Sequence, residues 1–563
     1  MGSILLAVGA AIAYIIAYNT YGKFLARKIF NLDETARTPA VDLNDNMDYV
    51  PTKKDVLFGH HFTSIAGTGP IVGPAIGIIW GWVPALIWVV FGSILMGAVH
   101  DFGSIVISLR NQGKSVGDIA ASLISPRVRL MFLSIIFIIL LMVIAIFCLV
   151  ISVLFKLFPQ AVLSIWMQIP ISIWLGHVIY TKKRESKLYV WGALLLMYIS
   201  VIAGAWLPFS IETILPFNPV VSWTVILLIY AFIASTLPVW RLLQPRDYIN
   251  GYQLLVAMGL LAAGVIFAHP VIVAPALNLN PEGAPPIFPF LFITIACGAL
   301  SGFHSLVGSG TTAKQMSNES HAKVIGYGGM LMEGMLAIFA LIAVGAGIGL
   351  AAGHGELSGV EAWTKHYASW GAAQGLGSKV SAFVTGSANM LTFLGISFTV
   401  GTAIMGVFVA SFAGTTLDTA TRLQRYVIAE LSASMNIKFF TGKYAATGLA
   451  VVSAGLLALW DGEGKGGLLL WPLFGASNQL LGTLALLVIT VYLAKNKKPV
   501  FITLIPFLFM LVVTGWAMLY QLKGFIDKGQ IHLLTIDSLI IILEVWMIVE
   551  AVLAMRKYKK SKS

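Results

Sequence analysis

Apolar runs of twenty residues or more, separated by short polar connections, recur along the whole chain. A bilayer core takes about 20 apolar residues per helix. On that length the pattern predicts membrane spans at 3–22, 57–80, 83–109, 130–156, 160–180, 188–208, 220–238 and 252–272. It continues with 288–307, 323–350, 379–421, 444–461, 467–494, 498–521 and 533–555, fifteen in all. The run 379–421 is long enough for two crossings, so charge has to decide how often it crosses. Lys and Arg concentrate in 23–56, 110–129, 181–187 (with Lys182-Lys183-Arg184), 239–251, 308–322, 422–443, 495–498 and the tail from Arg556. All of these fall on one side if 379–421 crosses once. By the positive-inside rule that side is the cytoplasm, which puts the N-terminus outside and the C-terminus inside.

Composition agrees. Of 563 residues 58% are hydrophobic and 11% are charged, against about 25% charged in a soluble domain. A soluble protein of this length would need far more charge to cover its surface. The net charge of +12 is explained by the basic connections, without nucleic acid as a partner. The lipid bilayer is the partner the composition demands. Cys148 and Cys297 both lie in apolar runs, too few for a disulfide framework and too far apart for a redox or zinc motif.

An internal repeat organises the spans. Residues 62–69 read F-T-S-I-A-G-T-G and residues 303–310 read F-H-S-L-V-G-S-G. Seven spans separate the copies, an odd number, so the two units lie inverted in the membrane. Each copy is followed by a span and a long polar connection, 110–129 and 351–378. The expected order is one leading span, a core unit (about 57–208), two inserted spans (220–272), a second core unit (about 288–494) and two trailing spans with a basic cytoplasmic tail (496–563). The fold class is an all-α polytopic membrane protein of about 15 transmembrane helices. Five-plus-five inverted repeats with interrupted first helices are the LeuT-type architecture.

The interruption is visible in the first unit. Span 57–80 carries Gly67-Thr68-Gly69-Pro70 and then Gly73-Pro74. Proline removes a backbone donor and clashes with the preceding turn, and glycine lets the chain leave helical geometry. Freed backbone groups cannot face lipid, so the break must line a cavity or be buried in protein. Its carbonyls suit a cation, and the half-helix starting near Pro70 suits a carboxylate. A plain structural kink is the alternative. In the second unit the break falls either at Gly308-Ser309-Gly310 or at Gly298 to Gly302. Ser64, Gly67, Thr68, Gly69, Ser305, Gly308, Ser309 and Gly310 are the candidate substrate contacts.

Ionisable residues at membrane depth are costly and mark function. His60, His61, His100, Asp101, His304 and Glu333 are candidates for coupling or gating. As a proton relay they would move protons, and as braces they would cap the broken helices. His60, His61, His100 and Asp101 are also competent metal ligands, though no H-x-x-x-H or C-x-x-C spacing supports a metal. Thr415, Thr416 and Asp418 form a hydroxyl-and-carboxylate group suited to a hard cation such as sodium. Asp418 could instead pair with Arg422, one turn on. Arg246 within R-L-L-Q-P-R-D-Y is read as a topology charge or as an anion-binding or gating element. No P-loop, H-E-x-x-H or G-x-S-x-G occurs, so neither ATP-driven pumping nor a soluble catalytic motif has support.

Several long segments together resemble the carbon starvation protein CstA family. They are F-G-H-H-F-T-S-I-A-G-T-G-P-I-V-G-P from Phe58, His100-Asp101-Phe102, P-V-W-R-L-L-Q-P-R-D-Y from Pro238, C-G-A-L-S-G-F-H-S-L-V-G-S-G-T-T from Cys297, T-T-L-D-T-A-T-R from Thr415 and W-P-L-F-G-A-S-N-Q-L-L from Trp471. The resemblance covers roughly residues 1–495. It implies an inner-membrane transporter for peptides under nutrient limitation, with close relatives importing pyruvate with protons. The expectation is a secondary transporter and not an enzyme: it would bring a small carboxylate-bearing nutrient, a peptide or pyruvate, across the cytoplasmic membrane with H+ or Na+, without a resident cofactor. The competing expectation is a membrane-embedded metal-binding enzyme or nutrient sensor built on His60, His61, His100 and Asp101.

Overall fold

The computed structural model describes residues 2–182, 187–214, 216–350, 357–462 and 470–560, and all regular structure among them is helical. Lys183 and Arg184 of the basic block and the last three residues of the tail lie outside the described residues. Within a bilayer a helix is the one open-ended segment that satisfies its own backbone donors and acceptors, and the apolar runs fold accordingly.

The helices run, in order, α1 (Ser3–Ile29), α2 (Lys54–Ala66), α3 (Gly69–Gly77), α4 (Trp82–Leu109), α5 (Val116–Leu123), α6 (Pro126–Leu157) and α7 (Pro159–Thr181). They continue with α8 (Lys187–Trp206), α9 (Pro219–Thr236), α10 (Leu243–Ala268), α11 (Ile287–Thr294), α12 (Gly302–Val307, continued by wider turns to Gln315) and α13 (Glu319–Leu350). The rest are α14 (Gly359–Tyr367), α15 (Trp370–Gln374), α16 (Leu376–Thr392), α17 (Phe398–Ser434), α18 (Lys443–Leu459), α19 (Trp471–Lys495), α20 (Phe501–Asp527) and α21 (Ile531–Lys560). Both long polar connections carry short helices of their own, α5 in the first unit and α14 and α15 in the second.

Among the described residues twelve spans are long and apolar enough to cross a membrane, against the fifteen expected, the runs 288–307, 444–461 and 533–555 not being among them. The run 288–307 is not one rod but two short pieces, α11 and α12, with residues 295–301 unwound between them. The run 444–461 forms α18, which is 17 residues long. The run 379–421, expected as one long, tilted or interrupted span, is divided. Its chain turns through Gly395 at φ +79°, and Ser397 caps the next helix by accepting from the amide of Val400. α16 then lies across the end of the bundle where α6, α10 and α13 finish. Gly377 faces Val153 and Leu157, Gly264 faces Met390, and Gly386 sits on the Ala343 carbonyl. In this region α17, 37 residues long, is the helix long and apolar enough to cross a membrane among the described residues.

Close backbone approach fixes the broken helices in place. A methyl on Gly251 of α10 would come within 3.0 Å of the Cα of Gly59 on α2. A methyl on Gly302 of α12 would come within 2.3 Å of the Asn478 carbonyl and 2.4 Å of the Gly482 amide on α19. Each broken helix is thus held against one long helix, α2 against α10 and α12 against α19. Along the middle of the molecule α6 and α17 lie against each other.

The substitution Gly302→Ala is therefore expected to cost roughly 1–3 kcal/mol through overpacking. Gly515→Ala on α20, where nothing stands within 4 Å of the new methyl, is expected to be neutral or to gain up to about 1 kcal/mol from helix propensity. Thermal unfolding in detergent compares them, and equal midpoints for the two variants would contradict the close α12–α19 contact.

Candidate functional site: two unwound segments and a buried proton-bearing line

The first break follows the Gly-Pro sequence. α2 stops at Ala66 because Gly67 takes φ +41°, ψ −150°, a conformation open to glycine and strained for other residues. Pro70 stands in the first turn of α3, where its missing N–H breaks no helical bond. The second break spans residues 295–301, with Gly298 at φ +90°. Of the two positions that the sequence left open, Gly298 to Gly302 is the break. Gly308-Ser309-Gly310 belongs to a π-helical turn, Gly308–Thr312, inside a continuous helix.

The two breaks touch. A methyl on Gly69 would lie 2.3 Å from the Cβ and 2.4 Å from the Sγ of Cys297, and a methyl on Gly298 would lie 3.5 Å from the Cβ of Pro70. Side chains take up several of the freed backbone groups. Thr416 Oγ1 on α17 donates to the Ser64 carbonyl at 3.1 Å, and Ser64 Oγ lies 3.2 Å from Thr419 Oγ1. The Gly298 amide donates to Glu333 Oε1 at 3.0 Å, and the Phe303 amide donates to Asn478 Oδ1 at 2.9 Å. Thr68 Oγ1, at the first break, is buried without a hydrogen-bond partner.

From Glu333 a line of fully buried ionisable groups crosses the interior. His304 Nε2 lies 3.2 Å from Glu333 Oε2, and His304 Nδ1 lies 3.8 Å from Asp101 Oδ2. His61 Nε2 lies 3.1 Å from the same Asp101 oxygen, and His61 Nδ1 lies 2.8 Å from Thr312 Oγ1. The neighbouring Thr311 Oγ1 is 3.3 Å from His60 Nε2, and His60 Nδ1 is 2.7 Å from Asp247 Oδ2. Asp247 Oδ1 accepts from Arg246 Nη2 at 3.0 Å. Arg246 Nη1 also bonds Asp418 Oδ2. The wide turn at Gly308–Thr312 presents the two adjacent threonines to the two adjacent histidines, as such turns often do at functional sites.

A cavity of about 360 Å³ reaches these breaks from one end of the bundle. Exposed Lys528 and half-buried Gln530 stand at its rim, Phe290, Trp471, Phe474 and Tyr520 form its walls, and Gly69, Ala296 and Cys297 form its floor. It falls within the usual ligand-pocket range of roughly 300–1,000 Å³.

The structure brings together Ser64, Gly67, Thr68 and Gly69 at one break, and His60, His61, Asp101, His304 and Glu333 along the line. Ser305, Gly308, Ser309 and Gly310, expected as substrate contacts, lie in α12 past the second break and not within it. Ser305 Oγ donates to the Gly302 carbonyl and Ser309 Oγ to the Ser305 carbonyl. Gly308 closes on Ile105 and Gly310 on Leu423, so small residues serve helix packing there. His100 is buried with both ring nitrogens lacking a hydrogen-bond partner. The proposed metal set does not assemble, since His60 and His61 project to opposite partners. Among the described residues no three His, Cys, Asp or Glu side chains are grouped to hold a metal. Asp418 does not pair with Arg422, which bonds Asp48 and the Leu237 carbonyl instead. Thr415 accepts from Asn250 at 3.1 Å. Asp247, Thr311, Thr312 and Tyr230 were missed, because Gln244-Pro245-Arg246-Asp247 reads as a connection and is in fact the buried start of α10.

Two broken helices meeting over a buried line of ionisable groups, in a bundle of membrane-spanning helices, define a membrane transporter of LeuT-type architecture, not an enzyme. The family model described as "Carbon starvation protein CstA" matches residues 2–517, and the chain belongs to that family. It is 34% identical to "Peptide transporter CstA" of Escherichia coli (strain K12), covering 94% of this chain and 82% of that protein. It is also 34% identical to "Pyruvate/proton symporter BtsT" of the same organism, covering 91% and 81%. The crystal structure of a mutant of the Eremococcus coleocola manganese transporter shares the fold at TM-score 0.52 and 11% identity, covering 92% of this chain and 99% of that one. The chain is thus a multi-pass membrane transporter for a small molecule.

Gly69→Ala is expected to push the two breaks apart and to cost roughly 1–3 kcal/mol. The double variant Gly69→Ala/Cys297→Gly, which removes the facing side chain, is expected to recover most of that loss. Thermal unfolding of both checks the contact, and a double variant no more stable than Gly69→Ala would contradict it.

Proposed function

We propose that this chain imports a small carboxylate-bearing nutrient, a peptide or pyruvate, together with protons across the cytoplasmic membrane during carbon starvation. The observation that carries the reading is the charge inventory of the buried line. Asp101, Glu333, Asp247 and Asp418 are each at most 1% exposed, and Arg246 is the guanidinium among them. Uncompensated buried charge is strongly unfavourable. Four carboxyls less one guanidinium (4 − 1 = 3) leaves three protons to be held by the acids or by His60, His61 and His304. A site that must hold protons, and that touches the second break through Glu333 and the Gly298 amide, is suited to exchanging them as substrate arrives. The N-terminal dipole of α3 favours a carboxylate at the break, and the cavity ending at Gly69 provides its approach. A relative named as a pyruvate/proton symporter supports the same ion. The Lys- and Arg-rich connections around 110–129, 308–322 and 422–443 favour a cytoplasmic face at that end of the bundle, with the N-terminus outside.

Uptake of labelled pyruvate and of a labelled dipeptide into proteoliposomes under an imposed proton gradient tests the proposal. Accumulation of at least one, collapsing with a protonophore, is expected. Asp101→Asn and His61→Ala are expected to reduce it at least tenfold while preserving the folded bundle. Accumulation that ignores the proton gradient would overturn proton coupling, and accumulation of neither solute would overturn the substrate class.

A further inference from the structure

Beside the proton-bearing line sits a buried cation to which the transport reading assigns no separate task. Arg246, on the first turn of α10, is 3% exposed. Its Nη1 donates to Asp418 Oδ2 and, at 2.7 Å, to the Tyr230 hydroxyl. Tyr230 in turn donates to Asp418 Oδ2 at 2.8 Å. Arg246 Nε and Nη2 lie 3.3 and 3.0 Å from Asp247 Oδ1. The guanidinium is thus surrounded by oxygens of α9, α10 and α17, two of its partners being carboxylates. Asp418 Oδ1 is buried with no hydrogen-bond partner.

The same stretch of α17 faces the first broken helix through Thr416 and Thr419. Hydroxyls, a helix carbonyl and a carboxylate are the oxygen set on which a hard cation is expected, yet the carboxylate faces a guanidinium. We infer that Arg246 is a tethered cation that takes the place of a soluble alkali ion between Asp247 and Asp418, so that this chain works without sodium, and that removing its charge creates a sodium site there. The role in transport rests on the proton-coupled reading above, whereas the binding claim stands without it.

The oxygens left by trimming Arg246 are the Asp418 carboxylate, Asp247 Oδ1 and the Tyr230 hydroxyl. A cavity of about 30 Å³ already adjoins them, lined by Gln168, Tyr230, Arg246, Ser411 and Gly414. That is room for water, which needs about 10–15 Å³, to complete the coordination of a small ion. Two buried carboxylates facing each other without their cation would be strongly unfavourable, so any ion that binds only the folded state stabilises it by mass action.

The test is the thermal midpoint of the purified full chain in sodium chloride against choline chloride at equal ionic strength. Wild type is expected to give the same midpoint in both salts, and so is Arg246→Lys, which keeps the charge. Arg246→Ala and Arg246→Gln are expected to rise in midpoint with sodium concentration and to saturate. Arg246→Ala/Asp418→Asn is expected to lose that rise. Recovery of folded Arg246→Ala in sodium but not in choline supports the inference equally. A wild type stabilised by sodium over choline overturns it. So do folded Arg246→Ala and Arg246→Gln that ignore sodium, and so does failure to recover either variant in both salts. Loss of proton-driven uptake in wild type would sink the proposed function and leave this result untouched.

Discussion

An unwound peptide segment at membrane depth has to find its hydrogen-bond partners in protein, because the surrounding lipid offers none. That constraint governs the centre of this molecule. The chain leaves helical geometry twice, at Gly67 and at 295–301, and each opening is set against the other with no room for a side chain at Gly69. Donors and acceptors for the freed groups come from helices distant in sequence: Thr416 for the Ser64 carbonyl, Glu333 for the Gly298 amide and Asn478 for the Phe303 amide. The glycine contact of α12 with α19 brings Asn478 close enough to serve.

Electrostatics follow from the same burial. Glu333 accepts the Gly298 amide and also stands beside His304, so the backbone opening and the line of ionisable groups share one carboxyl. A change in the geometry of residues 295–301 therefore reaches His304, Asp101 and His61 through direct contacts. In the reading proposed above this shared carboxyl is the physical link between substrate and proton, two ligands whose binding energies must be coupled at a common element. Arg246 closes the other end of the line and balances Asp247 against Asp418.

Much of this was legible in the amino-acid sequence. Gly67-Thr68-Gly69-Pro70 combines a residue that tolerates positive φ with one that suits a first helical turn, and the break lies there. His60, His61, Asp101, His304 and Glu333 stood out as ionisable residues in apolar runs, and they converge. What failed did so for identifiable reasons. Gly308-Ser309-Gly310 looks like a break because glycines permit one, but these glycines permit close packing on Ile105 and Leu423. Arg422, one turn from Asp418, was one of two readings for that carboxylate, whereas Arg246, 172 residues away in the chain, is brought there by the packing of α10 against α17. The run 379–421 hid its turn, since Gly395 and Ser397 are two among many small residues scattered along it. No local pattern announces that Pro245-Arg246-Asp247 will be buried as the start of a helix.

The most direct measurement is the release or uptake of protons by the purified protein, in weakly buffered detergent solution, when substrate is added. Coupling through the buried line requires that binding change the number of protons held there. The expected result is a proton exchange in fixed ratio to the substrate bound, lost when Glu333 is replaced by Gln with binding retained. Saturable substrate binding with no proton exchanged at any pH would contradict the account.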